Sequence, residues 1–234
     1  MFLKKIPVLM YHSISDDDYF LSVKKINFDR QLNLLYKLGY KSVFFNEINF
    51  NTKQKQFVIT FDDGYLDNYS NALPILKKYN YKAICFVVSN LIGTHNAWDK
   101  NHIKYEQKDL MNENHIIYWL NEGNKIGSHT LNHNNLTKLS RDEIFSEITN
   151  SKNHLEEKFS IPVDTFSYPY GAHDLLSKSI AKKAYNYIVT TSRSRHNSSF
   201  DWSEIPRVPI NSNTKLLSFF AKLFTPYEDI KFKK

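Results

Sequence analysis

An α/β fold built on a parallel sheet is the architecture this sequence predicts, and three observations carry it. Short apolar runs of strand length alternate with segments of helical spacing about seven times. Several of the runs deliver acids or histidines at their C-terminal ends, the edge where parallel sheets gather their active sites. No internal repeat and no linker divides the 234 residues, a length that suits one large α/β domain. The alternation alone leaves open whether the sheet is doubly wound or closed into a barrel.

In chain order, Pro7-Val8-Leu9-Met10-Tyr11 reads as a first strand that delivers His12 and Ser13. Phe28, Leu32, Leu35 and Leu38 are spaced as one helix face, which Gly39 ends. Ser42 to Phe45 is a second strand and Phe57 to Phe61 a third. A helix follows from Tyr65 to Tyr79, with Pro74 placing a kink inside it. Tyr81 to Val88 is a fourth strand. The polar stretch 89–108, with His95, Trp98 and His102, is longer than most connections, and such loops often carry function. Leu110 to Leu120 is helical, and Lys125 to Ser128 is a short strand that runs into His129. Ser140-Arg141-Asp142-Glu143 is a capping box that opens a helix to about Phe159. Val163 to Ser167 is a strand, Leu175 to Tyr185 a helix, and Tyr187 to Thr191 and Ile205 to Ile210 are the last strands. An apolar helix, Leu216 to Phe224, and a basic tail close the chain. We read residues 1–234 as a single domain, with the terminal helix and tail at about 214–234 covering the barrel floor if the sheet closes.

Composition narrows the function classes. Hydrophobic residues at 41% and charged residues at 24% describe a folded chain and exclude a disordered one. The net charge of +7 is spread as scattered lysines, with no Arg-rich arm and no nucleic-acid motif, so no nucleic-acid partner is expected. There is no dinucleotide fingerprint and no phosphate-binding loop. One cysteine, Cys85, lies within an apolar run and reads as a buried hydrophobe. No segment is apolar for long enough to span a membrane. Met1 to Pro7 lacks the pattern of a secretory signal, which predicts a cytoplasmic protein. If Leu216 to Phe224 is instead an interfacial helix, the protein would work at the inner face of the membrane.

Chemistry concentrates in three places. Thr60-Phe61-Asp62-Asp63-Gly64 puts two carboxylates at the mouth of a buried strand, a costly arrangement unless cations or hydrogen bonds compensate. His129-Thr130-Leu131-Asn132-His133 puts two imidazoles four apart, on one face if the segment is helical. One carboxylate and two neutral histidines make an open metal site, and the second carboxylate is then a base. Tyr168-Pro169-Tyr170-Gly171 follows another strand, and the Tyr170 N–H is a candidate oxyanion donor.

These motifs, in this order and spacing, resemble the polysaccharide deacetylases of carbohydrate esterase family four. The similarity runs from about residue 7 to 210, and Pro7 to His12 resembles the branch that includes poly-N-acetylglucosamine deacetylases. The resemblance implies a distorted (β/α) barrel of about seven parallel strands and one divalent ion, usually zinc, with cobalt, nickel or manganese as substitutes. It implies Asp63, His129 and His133 as the metal ligands and Asp62 as general base. Water activated at the metal would attack an acetamide, the Tyr170 N–H would help hold the oxyanion, and a protonated histidine would serve the leaving amine. The expected partner is an N-acetylated glycan or a lipid-linked sugar.

The chain departs from the family pattern twice. Ser167-Tyr168 stands where many members have an arginine that orients the base, and Arg207 is the candidate substitute. No histidine lies beyond His196 to supply the acid of the usual C-terminal motif, so we expect His12 to supply it. Asp201-Trp202 resembles the family's fourth motif: Asp201 would pair with that histidine, and Trp202, with Tyr168, would contact the sugar. The other histidines, His95, His102, His115, His154, His173 and His196, read as bland residues in polar surroundings. Rival readings are an O-acetyl esterase or non-peptide amidase on the same metal platform, a sugar-binding module without catalysis, and, from charge alone, a nucleic-acid protein.

Overall fold

The computed structural model describes residues 5–100, 106–199 and 201–231. Among these residues there are eight strands: β1 (Val8–Tyr11), β2 (Tyr40–Ser42), β3 (Lys55–Phe61), β4 (Ile84–Val87), β5 (Lys125–Ser128), β6 (Thr165–Ser167), β7 (Tyr187–Arg193) and β8 (Ile205–Pro209). They form one sheet in the order β1-β8-β7-β6-β5-β4-β3-β2, and every pairing is parallel. β1 also pairs with β3, from Val8 opposite Val58 to Tyr11 opposite Phe61. That pairing closes seven strands into a barrel and leaves β2 outside, on the first residues of β3. The helices are α1 (Lys25–Lys37), α2 (Leu73–Lys78), α3 (Glu113–Asn121), α4 (Arg141–Phe145), α5 (Ser151–Phe159), α6 (Leu175–Ala184), α7 (Leu216–Phe224) and α8 (Tyr227–Lys231).

Strand alternation explains the apolar runs. Leu9, Ile59, Cys85, Ile126 and Ile188 point outward, under Leu32 of α1, Leu76 of α2, Trp119 of α3 and Leu155 of α5. Val8, Val58, Ile84, Phe86, Val189 and Ile205 point inward and pack against one another. Both faces of β1, β3 and β4 are covered, so these strands read as continuous hydrophobe instead of alternating.

Several elements differ from expectation for local reasons. β2 ends at Ser42, and Phe45–Glu47 is a 3-10 turn, because the Glu47 carboxylate accepts from the Phe44 N–H at 2.8 Å. Phe45, with Val43, Phe44, Ile48 and Trp202, packs on the inner apolar cluster and closes the barrel floor. The floor is therefore not covered by α7, whose buried Phe219 and Leu223 join the outer layer of core. The predicted kink at Pro74 is a π-helical turn, Asn68–Ala72, that leads without a break into the first turn of α2, where Pro74 lies. The helix expected over 140–159 starts on its capping box, with Ser140 N–H donating to Glu143. A second π-helical turn, Ser146–Asn150, separates α4 from α5. Among the described residues, no helix is long and apolar enough to cross a membrane.

Candidate active site

The C-terminal mouth of the barrel collects the three motifs. β3 leads directly into Asp62 and Asp63, both buried, and the chain turns away through positive φ at Asp63 and Gly64. The two carboxylates avoid mutual repulsion by taking different partners. Asp62 receives a bidentate pair from Arg207 of β8, Nη1 to Oδ1 at 2.6 Å and Nη2 to Oδ2 at 2.7 Å. Arg207 is fully buried, and it also donates to Ser167 Oγ, Thr60 Oγ1 and the Thr190 carbonyl. Burial alone would raise the Asp62 carboxyl, but the guanidinium outweighs it and holds the group below the usual carboxylate range.

Asp63 faces the histidines. Its Oδ1 lies 3.3 Å from His129 Nε2 and 3.2 Å from His133 Nε2. Burial is again outweighed, here by hydrogen bonds from the two imidazoles, and Asp63 sits well below the usual range. The expected helical spacing is absent. His129 and His133 converge because the chain doubles back through positive φ at Thr130 and His133, and the His133 N–H bonds the Thr130 hydroxyl at 3.0 Å. His129 Nδ1–H donates to the Ser167 carbonyl at 2.7 Å, which turns Nε2 toward Asp63. The three residues could hold a metal ion. The two Asp63–imidazole separations, about 3.3 Å, match the edge of a tetrahedron with bonds of about 2.0–2.1 Å, and the three donor atoms all lie within 4.8 Å of one another. Burial lowers the pKa of His133 and favours its neutral, ligating form. For His129, burial is outweighed by Asp63 and Asp62, and the pKa is raised.

Around this group lies a cleft of about 320 Å³ that His12, Tyr168 and Tyr170 also line. His12 Nδ1 is buried without a hydrogen-bond partner. Tyr170 takes φ of 59° and lays its half-exposed ring edge-on to His133 at 4.7 Å. Gly171 follows at φ of +67°, and a Cβ there would lie 1.9 Å from Thr191 Oγ1. Tyr168 is buried and stacks on His173 at 4.6 Å.

Asp201 and Trp202 are not brought to this mouth. The Asp201 carboxylate accepts from the Ser203 N–H, meets Lys182, and is lowered to about 2 mainly by the Ser203 bonds. Trp202 packs into the floor with Tyr187 and His196. The expected Asp201–His12 pair is thus corrected: the segment that follows β7 has already returned to the opposite end of the barrel. His196, expected in polar surroundings, is fully buried there. His102 lies outside the described residues.

Sequence reasoning assigned no role to three contributors. Trp98 stacks on His133 at 4.4 Å, and the length of its loop was the available signal. Tyr19 lines the cleft and its hydroxyl donates to Asp99. Glu147 holds the His133 turn from below, and an acid on a helix face gives no such signal.

The polysaccharide deacetylase family profile matches residues 49–188, more than half of the chain. The chain belongs to that family. It is 35% identical to the protein YxkH of Bacillus subtilis (strain 168) over 80% of its own length and 64% of that protein. It is 29% identical to the poly-beta-1,6-N-acetyl-D-glucosamine N-deacetylase of Staphylococcus aureus (strain MRSA252) over 70% of its own length and 58% of that enzyme. The chain therefore spans under two thirds of the length of these relatives. Among solved structures, the deacetylase PplD of Streptococcus pyogenes, in complex with acetate, superposes with a TM-score of 0.81 at 25% identity, covering 95% of this chain and 99% of that one.

Proposed function

We propose that this deacetylase-family chain is a metal-dependent hydrolase that removes the acetyl group from an N-acetylated amino sugar, in a glycan or a lipid-linked saccharide. The observation that carries the reading is the convergence of Asp63, His129 and His133 beside an Arg207-held Asp62 and an unpartnered His12 nitrogen, all in one cleft. Asp63, His129 and His133 hold the ion, with zinc the best match to one carboxylate and two imidazoles. Bound there, it would supply Lewis-acid polarisation of the acetamide carbonyl and of the attacking water. Asp62, kept ionised by Arg207, takes the proton from that water. The Tyr170 N–H donates to the carbonyl oxygen as charge builds on it. His12 donates the proton that the departing amine needs, because an amide nitrogen leaves poorly without one. Trp98 and Tyr170 offer aromatic surface for the sugar ring, and Tyr168 stiffens the wall behind them.

The deciding experiment is acetate release from a panel of N-acetylated glycans, lipid-linked sugars and O-acetylated sugars, with and without chelator. Chelator-sensitive release from an N-acetyl substrate is expected. Release from O-acetyl sugars alone would make the chain an esterase, and binding without release would make it a sugar-binding module. The exposed Leu216, Leu217 and Phe220 of α7 support a peripheral lipid contact. Sedimentation with anionic vesicles, weakened by Leu217→Asp, is the expected result; no sedimentation of the parent chain would remove that contact.

A further inference from the structure

We infer that Glu147 is a positioning residue for the candidate metal centre, setting its affinity through the turn that carries His133. The inference rests on the metal reading above. Glu147 is 5% exposed, and no lysine, arginine or histidine pairs with it among the described residues. A buried carboxylate without a counter-ion persists only where several donors point at it. Here all four donors come from one turn. Oε2 accepts the Leu131 and Asn132 N–H groups at 2.9 and 3.0 Å, and Oε1 accepts the Asn132 and Asn134 side-chain amides at 2.7 and 2.9 Å.

The same turn is held from its other side. The Thr130 and Leu131 carbonyls accept from the Ser89 and Asn90 N–H groups at 3.1 and 3.0 Å, and Asn90 Nδ2 donates to Asn132 Oδ1 at 3.0 Å. Donors and acceptors of the turn are thus satisfied by two separate elements, the 3-10 turn after β4 and the π-helical turn before α5. The extra residue of the π-helical turn matters, because such insertions re-aim side chains and recur at functional sites. The positive-φ residues Thr130 and His133 flank the two backbone amides that Glu147 holds. Left-handed backbone at a β-branched threonine persists only where its surroundings over-determine it. Glu147 therefore keeps His133 Nε2 turned to Asp63.

The test is zinc affinity, read by competition with a chromogenic chelator, for the parent chain, Glu147→Gln and a control, Glu156→Gln. Glutamine is isosteric but would turn an N–H₂ toward N–H donors. Affinity is expected to fall 10–100-fold, as when an outer partner of a metal-ligating residue is lost. Glu156, in α5 just beyond that turn, accepts from Lys152 and the Val163 N–H, so Glu156→Gln is expected to lower thermal stability and leave affinity unchanged. Should Glu147→Gln fail to fold, Asn132→Ala with Asn134→Ala removes two of the four bonds from the turn and is expected to weaken affinity at least severalfold. A folded Glu147→Gln, or in its place the double variant, with affinity within twofold of the parent overturns the inference. A parent chain that takes up no zinc overturns the metal reading and this inference with it.

Discussion

Asp62 and Asp63 are neighbours in the chain that meet opposite chemistry. Asp62 belongs to a guanidinium and Asp63 to two imidazoles, and that division lets two buried carboxylates stand side by side. Arg207 is the residue whose loss should be felt most sharply. Lysine cannot supply two parallel N–H donors. Arg207→Lys should lower kcat/KM at least about 100-fold with metal content unchanged. Activity within threefold of the parent would show that Asp62 does not need its bidentate partner. His12 is tested in the same way: His12→Ala should reduce turnover roughly 100- to 10,000-fold while the protein still holds its metal. Unchanged turnover would remove His12 as the acid. Both residues were named from sequence, but for Arg207 only as the sole suggestion to fill a missing arginine. The pair it forms spans a separation of 145 residues.

At the scale of elements, the C-terminal helices are pinned by charge more than by propensity. Arg193 of β7 grips Glu228, which is fully buried, with two bonds of 2.9 Å. Asp229 takes Arg195 and Lys5. Burial would raise the Asp229 carboxyl, yet these hydrogen bonds outweigh it and hold the pKa far below the usual range. A carboxyl depressed on folding stabilises the fold above its unfolded pKa, about 3.9, and loses that contribution as the pH falls through the folded value. Asp229→Asn should therefore destabilise the protein at pH 7 by about 2 kcal/mol. The gap to the parent should close as the pH drops below about 4. Urea unfolding across that window checks it, and a gap that widens in acid would contradict the ion-pair account. The π-helical turns are the elements that sequence reading had no means to place. Pro74 marked the first only as a kink, and nothing in the run from Ser140 to Phe159 marked the second.

For the whole molecule, stability and chemistry occupy opposite ends of one barrel. The floor is apolar, with Phe45 stacked on Tyr187 at 5.7 Å and Trp202 beside them. The mouth is polar and carries every group in the proposed mechanism. Phe45→Ala should cost about 3–5 kcal/mol of stability and leave the kcat and metal affinity of the folded protein unchanged. A parallel loss of metal affinity would show that floor and mouth are coupled.

Most strands, the main helices and the residues of three motifs were legible in the sequence alone, because they depend on local periodicity and short spacing; the bounds of β2 and the π-helical turns were not. Val8 to Tyr11, Leu32 with Leu35, and the Asp62–Gly64 and His129–His133 segments needed no knowledge of distant partners. Tertiary structure decided the rest, and in each case the cause is a contact between residues remote in sequence. Closure depended on β1 finding β3 as well as β8. The two histidines converge through a turn whose left-handed residues are not glycines, so helical spacing was the wrong guide. Asp201 and Trp202 matched a motif, but the chain had crossed to the floor before reaching them. Glu147 drew no reading from sequence, for a side chain's sequence neighbours do not tell it what it will be buried against.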